Sequence, residues 1–169
     1  MNPIVRHILV PTDFSEPSEA ALRYANGLAE RFGASLHLLH VVEDPLTPAT
    51  WGPDFYVPVD DPDVRTKALS AADYRLAMFR GILDEKLVHV TARSVIGRAA
   101  SSIVETAVDR GADLIVMGTH GRSGLPHLVM GSVTEHVLRA APCPVLVVRH
   151  LVEKEKSTGT APIAVPSVA

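Results

Sequence analysis

Short apolar runs alternate with single amphipathic stripes along most of this chain, and that alternation constrains its fold more than any other feature. Residues 4–10, IVRHILV, are rich in β-branched side chains and close at Pro11, predicting a first strand. Ser15 then offers a helix N-cap, and Pro17 is tolerated in a first turn whose amides lack intrahelical partners. Ala21, Leu22, Ala25, Leu28, Ala29 and Phe32 follow at helical period, with Gly33 as a left-handed C-cap. Residues 35–42 read as a second strand, and Leu69, Ala72, Leu76, Phe79 and Leu83 mark a second helix. Residues 87–96 predict a third strand with Val88, Val90, Ala92 and Ser94 on one face. Ala100, Ile103, Val104, Ala107 and Val108 mark a third helix closed by Gly111. Residues 113–117 form a short apolar strand of the kind buried on both faces. A fourth helix from Ser132 to about Ala140, a break at Pro142-Cys143-Pro144 and a fifth strand, residues 145–148, complete the series.

Strands joined by single helices require right-handed crossovers. The predicted architecture is therefore α/β: a doubly wound, Rossmann-like, five-stranded parallel sheet with helices on both faces. Ligands in such sheets bind beyond the carboxyl ends of the strands, where the strand order reverses. Two segments are candidates: Pro11-Thr12-Asp13 after the first strand and the residues from Gly118 onward after the fourth. Residues 43–63 carry five prolines with Trp51 and Gly52, too dense for a helix or a central strand, and read as a long loop. From His150 the chain turns charged and then rich in Ser, Thr, Gly, Pro and Ala. The expected organisation is one domain over residues 1–150 and a disordered tail over 151–169.

At 169 residues with 47% hydrophobic content the chain can bury one core, and extended disorder is excluded as its main state. Sixteen basic against nineteen acidic side chains give a net charge of −3, which argues against a nucleic-acid or membrane-surface binder. No apolar run approaches the roughly 18–20 residues of a membrane span, and Arg6 and His7 interrupt the first apolar stretch, so it lacks a signal-peptide core. A cytoplasmic protein is expected. The single cysteine, Cys143, excludes an internal disulfide and reads as a small structural residue. Among the eight histidines, His37 and His40 sit three apart in a strand and face opposite sides, and no zinc-type spacing occurs, so no metal site is expected from them.

The loop after the fourth strand is rich in glycine: Gly118, Gly121, Gly124 and Gly131, the last followed by Ser132. Gly118 leaves the strand, Gly121 permits a tight turn with amides at close range, and Gly131-Ser132 starts a helix whose first amides point back toward the same space. Helix-start amides and the helix dipole suit a phosphate. Arg122 adds a positive charge, and Ser132 and Thr134 add hydroxyls. A ligand-free explanation stands beside this one, because Ser132-Val133-Thr134-Glu135 is also a capping box with Ser132 at the N-cap. Asp13 likewise fits either a ligand contact or a helix cap.

The spacing G-x2-G-x9-G-S, preceded by Asp113-Leu114-Ile115-Val116-Met117 and followed by Pro142-Cys143-Pro144-Val145, resembles the universal stress protein family. The opening His7-Ile8-Leu9-Val10-Pro11-Thr12-Asp13-Phe14-Ser15 is similar to that family's first strand and turn. The resemblance covers residues 3–149 and implies strand order 3-2-1-4-5. It implies the ATP-binding branch, with Pro11, Thr12 and Asp13 on the adenosine side, Asp13 near the ribose, Val41 at adenine and Met117 against the nucleotide. Gly118, Gly121, Arg122, Gly131, Ser132, Val133 and Thr134 would surround the phosphates. It further implies a homodimer through Val145, Leu146, Val147 and Val148, acting on an unknown regulatory protein partner in a stress response. No Walker loop or Gly-x-Ser-x-Gly elbow is present, so any ATP hydrolysis is expected to be slow. The alternatives are an adenine-nucleotide hydrolase or transferase of the same broad fold, and a nucleotide-free scaffold.

Overall fold

The computed structural model describes residues 5–44, 63–83, 88–119 and 130–149. Along them the elements alternate: β1 (His7–Thr12), α1 (Glu16–Phe32), β2 (Ser35–Val42), α2 (Val64–Arg80), β3 (Val90–Ile96), α3 (Ala99–Asp109), β4 (Leu114–Gly118), α4 (Ser132–Ala140) and β5 (Val145–Val148). The five strands form one parallel sheet in the order β3-β2-β1-β4-β5, as expected. The order reverses between β1 and β4.

Side-chain parity divides the core into two layers. Ile8 and Val10 of β1, Leu36 and Leu38 of β2 and Val116 of β4 pack against Ala21, Leu22 and Ala25 of α1 and Leu76 and Phe79 of α2. On the other face Leu9, Leu39, Ile115 and Met117 pack against Ile103 and Ala107 of α3 and Val137 of α4. Helices therefore cover both faces. Gly33 ends α1 at φ 64°, ψ 34°, with the Ala34 amide donating to Ala29 O (2.9 Å), and Gly111 takes φ 57° beyond α3. Both are positions where a Cβ would crowd the backbone.

Four boundaries differ from expectation. β1 begins at His7 and runs through Pro11 to Thr12 instead of closing at Pro11, because its pairing with β2 continues from His7↔Ser35 to Thr12↔His40. β3 begins at Val90 rather than at 87; Val88 is buried just before it, and Ala92 is exposed on this edge strand. β4 starts one residue late because the Asp113 carboxylate accepts the Arg6 and His7 amides (2.8 and 3.0 Å), tying the amino ends of β1 and β4. α2 stops at Arg80, so Leu83 packs on the core from the turn beyond it, while Val108 of α3 is 61% exposed rather than part of the apolar stripe. The segment 45–62 and the tail from 150 lie outside the described residues. No helix among the described residues is long and apolar enough to cross a membrane.

Candidate functional site

The site begins with a missing hydrogen-bond donor. Arg6 O accepts from Ser35 N and His7 O from Asp113 N, so odd-numbered residues of β1 direct their backbone groups at β4 and even-numbered ones at β2. Pro11 is odd and has no N–H to offer β4. Pairing between β1 and β4 is confined to Ile8↔Leu114 and Leu9↔Ile115, whereas β1 and β2 stay in register to Thr12. The two central strands therefore part at their carboxyl ends, at the point where the strand order reverses.

The turn leaving β1 is fixed by its own side chains. Thr12 Oγ1 accepts the Phe14 amide (3.0 Å) and lies 3.0 Å from Ser18 Oγ, which donates to Ser15 O (2.8 Å). Asp13 Oδ1 accepts both the amide and the hydroxyl of Ser15. Asp13 thus orders the N-cap residue Ser15 without capping α1 itself, where no side chain makes a cap bond, and it lines the cleft as well.

On the other side of the gap α4 starts without a capping box. Its N-cap is Gly131 (φ −74°, ψ 151°), Ser132 is already inside the helix, and no side chain caps the helix. The expected partner Glu135 instead donates its amide to Gly131 O (3.0 Å) and pairs with Arg139 (2.6 Å). Glycine took the cap position that Ser132 was expected to fill, moving Glu135 from the third helical residue to the fourth and out of reach of the cap. The amides of Ser132, Val133 and Thr134 consequently have no acceptor within the helix. Thr134 Oγ1 is committed to Gly118 O (3.1 Å), and Gly131 N donates to Thr119 O (2.8 Å), which fixes the helix start against the end of β4.

One cleft of about 190 Å³ gathers Pro11, Thr12, Asp13, Val41, Met117, Gly118, Gly131, Ser132, Val133 and Thr134, the ten expected residues that are described. Gly121 and Arg122 lie outside the described residues. Four lining residues went unanticipated: Ser18, Leu39, Ala99 and Ile103. Leu39 shares a strand face with Val41, and Ala99 and Ile103 lie in the first two turns of α3 beyond the carboxyl end of β3, so strand parity and the strand-end rule were signals that could have found them. Chemically the cleft has an apolar wall (Leu39, Val41, Ile103 and Met117), a carboxylate at Asp13 and a helix N-terminus opposite. That set suits a flat apolar group joined through a hydroxyl-bearing linker to an anion.

The titratable groups outside the cleft have structural roles. His40 is buried, with Nδ1 2.8 Å from Thr12 O; a carbonyl only accepts, so Nδ1 carries the proton. His37 points to the opposite face and contacts Thr91 Oγ1 (2.6 Å), and burial, followed by Arg110, His7 and His89, lowers its pKa. Burial and the Asp113 charge push the Cys143 thiol up, away from the reactive thiolate.

The model of the universal stress protein family matches residues 5–149. Universal stress protein MJ0577 of Methanocaldococcus jannaschii is 30% identical over 158 residues, covering 88% of this chain and 98% of that protein. The solved MJ0577 structure superimposes with a TM-score of 0.75 over the same shares. Universal stress protein UspA from Lactobacillus plantarum superimposes with a TM-score of 0.72 at 27% identity, covering 88% of this chain and all of that one. A universal stress protein crystallised in complex with cAMP superimposes with a TM-score of 0.56 at 25% identity, over 86% of this chain and 98% of that one.

Proposed function

Because the chain belongs to the universal stress protein family, we propose that it is an ATP-binding, dimeric, cytoplasmic stress-response protein whose hydrolysis of ATP is slow or absent. The observation that carries this reading is the uncapped start of α4, where three helix amides reach a cleft with an apolar wall. Helix N-termini attract phosphate through those amides and the helix dipole. Adenine would lie against Val41 and Leu39, the ribose near Asp13 and the phosphates along Gly131, Ser132, Val133 and Thr134, with Gly121 and Arg122 closing around them. The neighbour solved with cAMP supports an adenine nucleotide as the class of ligand.

Slow turnover follows from the chemistry of the lining residues. Phosphoryl transfer needs a positioned water and charge neutralisation beyond amides. Among the described lining residues Asp13 is the sole carboxylate, and its Oδ1 is engaged by Ser15. Mg²⁺ would enter with the triphosphate. Dimerisation would use the outer edge of β5, four apolar residues paired on one side to β4, since an uncovered apolar edge invites a second strand. ATP occupancy would then change the surface offered to a regulatory partner.

The test is to denature protein purified without added nucleotide and identify what is released, with a single-turnover assay on γ-labelled ATP alongside. Released ATP and a turnover far below one per second support the reading. Rapid conversion to ADP favours a hydrolase or transferase instead. No released nucleotide, together with no calorimetric heat at millimolar ATP, leaves a scaffold and overturns it.

A further inference from the structure

Phe14 stands apart from its surroundings. Among the described residues it is the only one other than glycine with a positive φ, 65°. An aromatic side chain avoids that region because its Cβ crowds the following carbonyl. Such residues persist where neighbouring contacts over-determine them, and they cluster at functional sites. The Phe14 ring is held on three sides. The His40 ring lies 4.3 Å away, tilted, the Phe79 ring stands edge-on at 5.6 Å, and the Arg75 guanidinium sits 4.3 Å from the ring centre. His40 belongs to β2, and Arg75 and Phe79 belong to α2, on the sheet face opposite the cleft.

The backbone of Phe14 is tied to the cleft lining. Its amide is held by Thr12 Oγ1, and the residue before it, Asp13, lines the cleft. Thr12 O is held in turn by His40, the residue against the Phe14 ring. The left-handed backbone sets the ring among β2 and α2 while Asp13 beside it lines the cleft.

We propose that Phe14 is a positioning residue: clamped by Arg75, Phe79 and His40, it locks the left-handed turn that presents the Asp13 carboxylate to a ribose in the cleft, and so couples α2 to ligand discrimination on the far side of the sheet. The inference rests on the nucleotide reading above.

The experiment compares ATP with 2′,3′-dideoxy-ATP by calorimetry on the full chain. Wild type is expected to favour ATP by about 10-fold or more, the scale of a hydrogen bond to a charged group, and Asp13→Ala should abolish that preference. Phe14→Gly tolerates the same φ but lacks the ring, and should reduce the ratio to within about 3-fold while leaving affinity for the dideoxy form nearly unchanged. Arg75→Gln removes only the cation from the ring, at an exposed helix position, and should shift the ratio in the same direction by less. Should Phe14→Gly fail to fold, Arg75→Gln decides. An unchanged ratio in the folded variants, or an equal loss for both nucleotides, makes Phe14 a packing residue and overturns the proposal. A wild type that binds both nucleotides equally overturns the ribose role and the positioning with it, while nucleotide binding stands. A wild type that binds neither overturns the nucleotide reading itself.

Discussion

Replacing Gly131 by aspartate separates the stability of α4 from its proposed function, because the two should move in opposite directions. Gly131 has ordinary extended N-cap angles, so aspartate adopts them without strain. Its carboxylate would reach the amides of Val133 and Thr134 that lack an intrahelical acceptor. Relative to glycine, an aspartate N-cap is worth a few tenths of a kcal/mol, and a negative charge at the helix start adds about 0.3–1 kcal/mol. For a domain of this size about 1 kcal/mol corresponds to roughly 2–4 °C in Tm, so ligand-free Gly131→Asp should melt about 1–4 °C higher than wild type. The same carboxylate would occupy the proposed phosphate position. Like unit charges about 4 Å apart repel by about 4 kcal/mol at an effective dielectric constant near 20, and half of that weakens binding about 30-fold. Scanning calorimetry without ligand and titration calorimetry with ATP read the two effects separately. A folded variant that binds ATP as wild type does would refute the phosphate assignment, and a lowered Tm would refute the N-cap geometry.

Three further outcomes are expected. Gly118→Ala would place a Cβ 2.9 Å from both the carbonyl carbon and oxygen of Pro17, where β4 meets the first turn of α1. The crowding should cost about 1–3 kcal/mol in urea unfolding, with or without nucleotide, whereas an unchanged midpoint would mean that the strand end can shift. The lowered pKa of His37 means that its neutral form is favoured on folding, so the stability this gives is fully present above the unfolded value of 6.5 and is lost as pH falls below it. Urea midpoints taken from pH 8 to pH 5 should decline below about 6.5, and His37→Gln, which removes the titration beside Arg110, His7 and His89, should flatten that decline; an identical slope in the variant would assign it elsewhere. Val147→Lys puts a charge on the β5 edge at the residue of that strand that joins neither core layer and should leave a folded monomer at micromolar concentration by sedimentation, unlike wild type. A dimer that survives this change would move the interface off β5.

The element order was legible because each strand and helix carries its own period and its own terminator. Gly33 adopts the left-handed angles expected of it, Gly111 closes α3 as expected, and the parity that separates His37 from His40 holds in the sheet. What local pattern could not resolve was competition between neighbours. Gly131 and Ser132 both suit an N-cap, and the Thr134 hydroxyl bonded to Gly118 O belongs to the arrangement in which glycine occupies it. Pro11 looked like a strand terminator, yet β2 carries β1 past it because the missing donor faces the other neighbour. Leu39 and Ile103 are themselves buried core residues, and with Ala99 they border the cleft because of where sheet order sets their elements, which sequence spacing does not show. The left-handed angle at Phe14 was not legible, since local bonds shape the turn but the contacts on the ring come from β2 and α2.

The absent donor at Pro11 also determines how the sheet would come apart. Backbone pairing holds β1, β2 and β3 as one block and β4 with β5 as another; the ladder between the blocks has two registered pairs near the amino ends, flanked by the backbone and carboxylate bonds of Asp113, and α1 packs across both blocks. A molecule touching both Asp13 and the start of α4 would add a further tie at the carboxyl ends, beside the contact of Gly118 with the first turn of α1, acting as a rivet between halves. Occupancy would then register less as a local change in the cleft than as slower amide exchange throughout β4 and β5, the block whose outer strand carries the exposed edge.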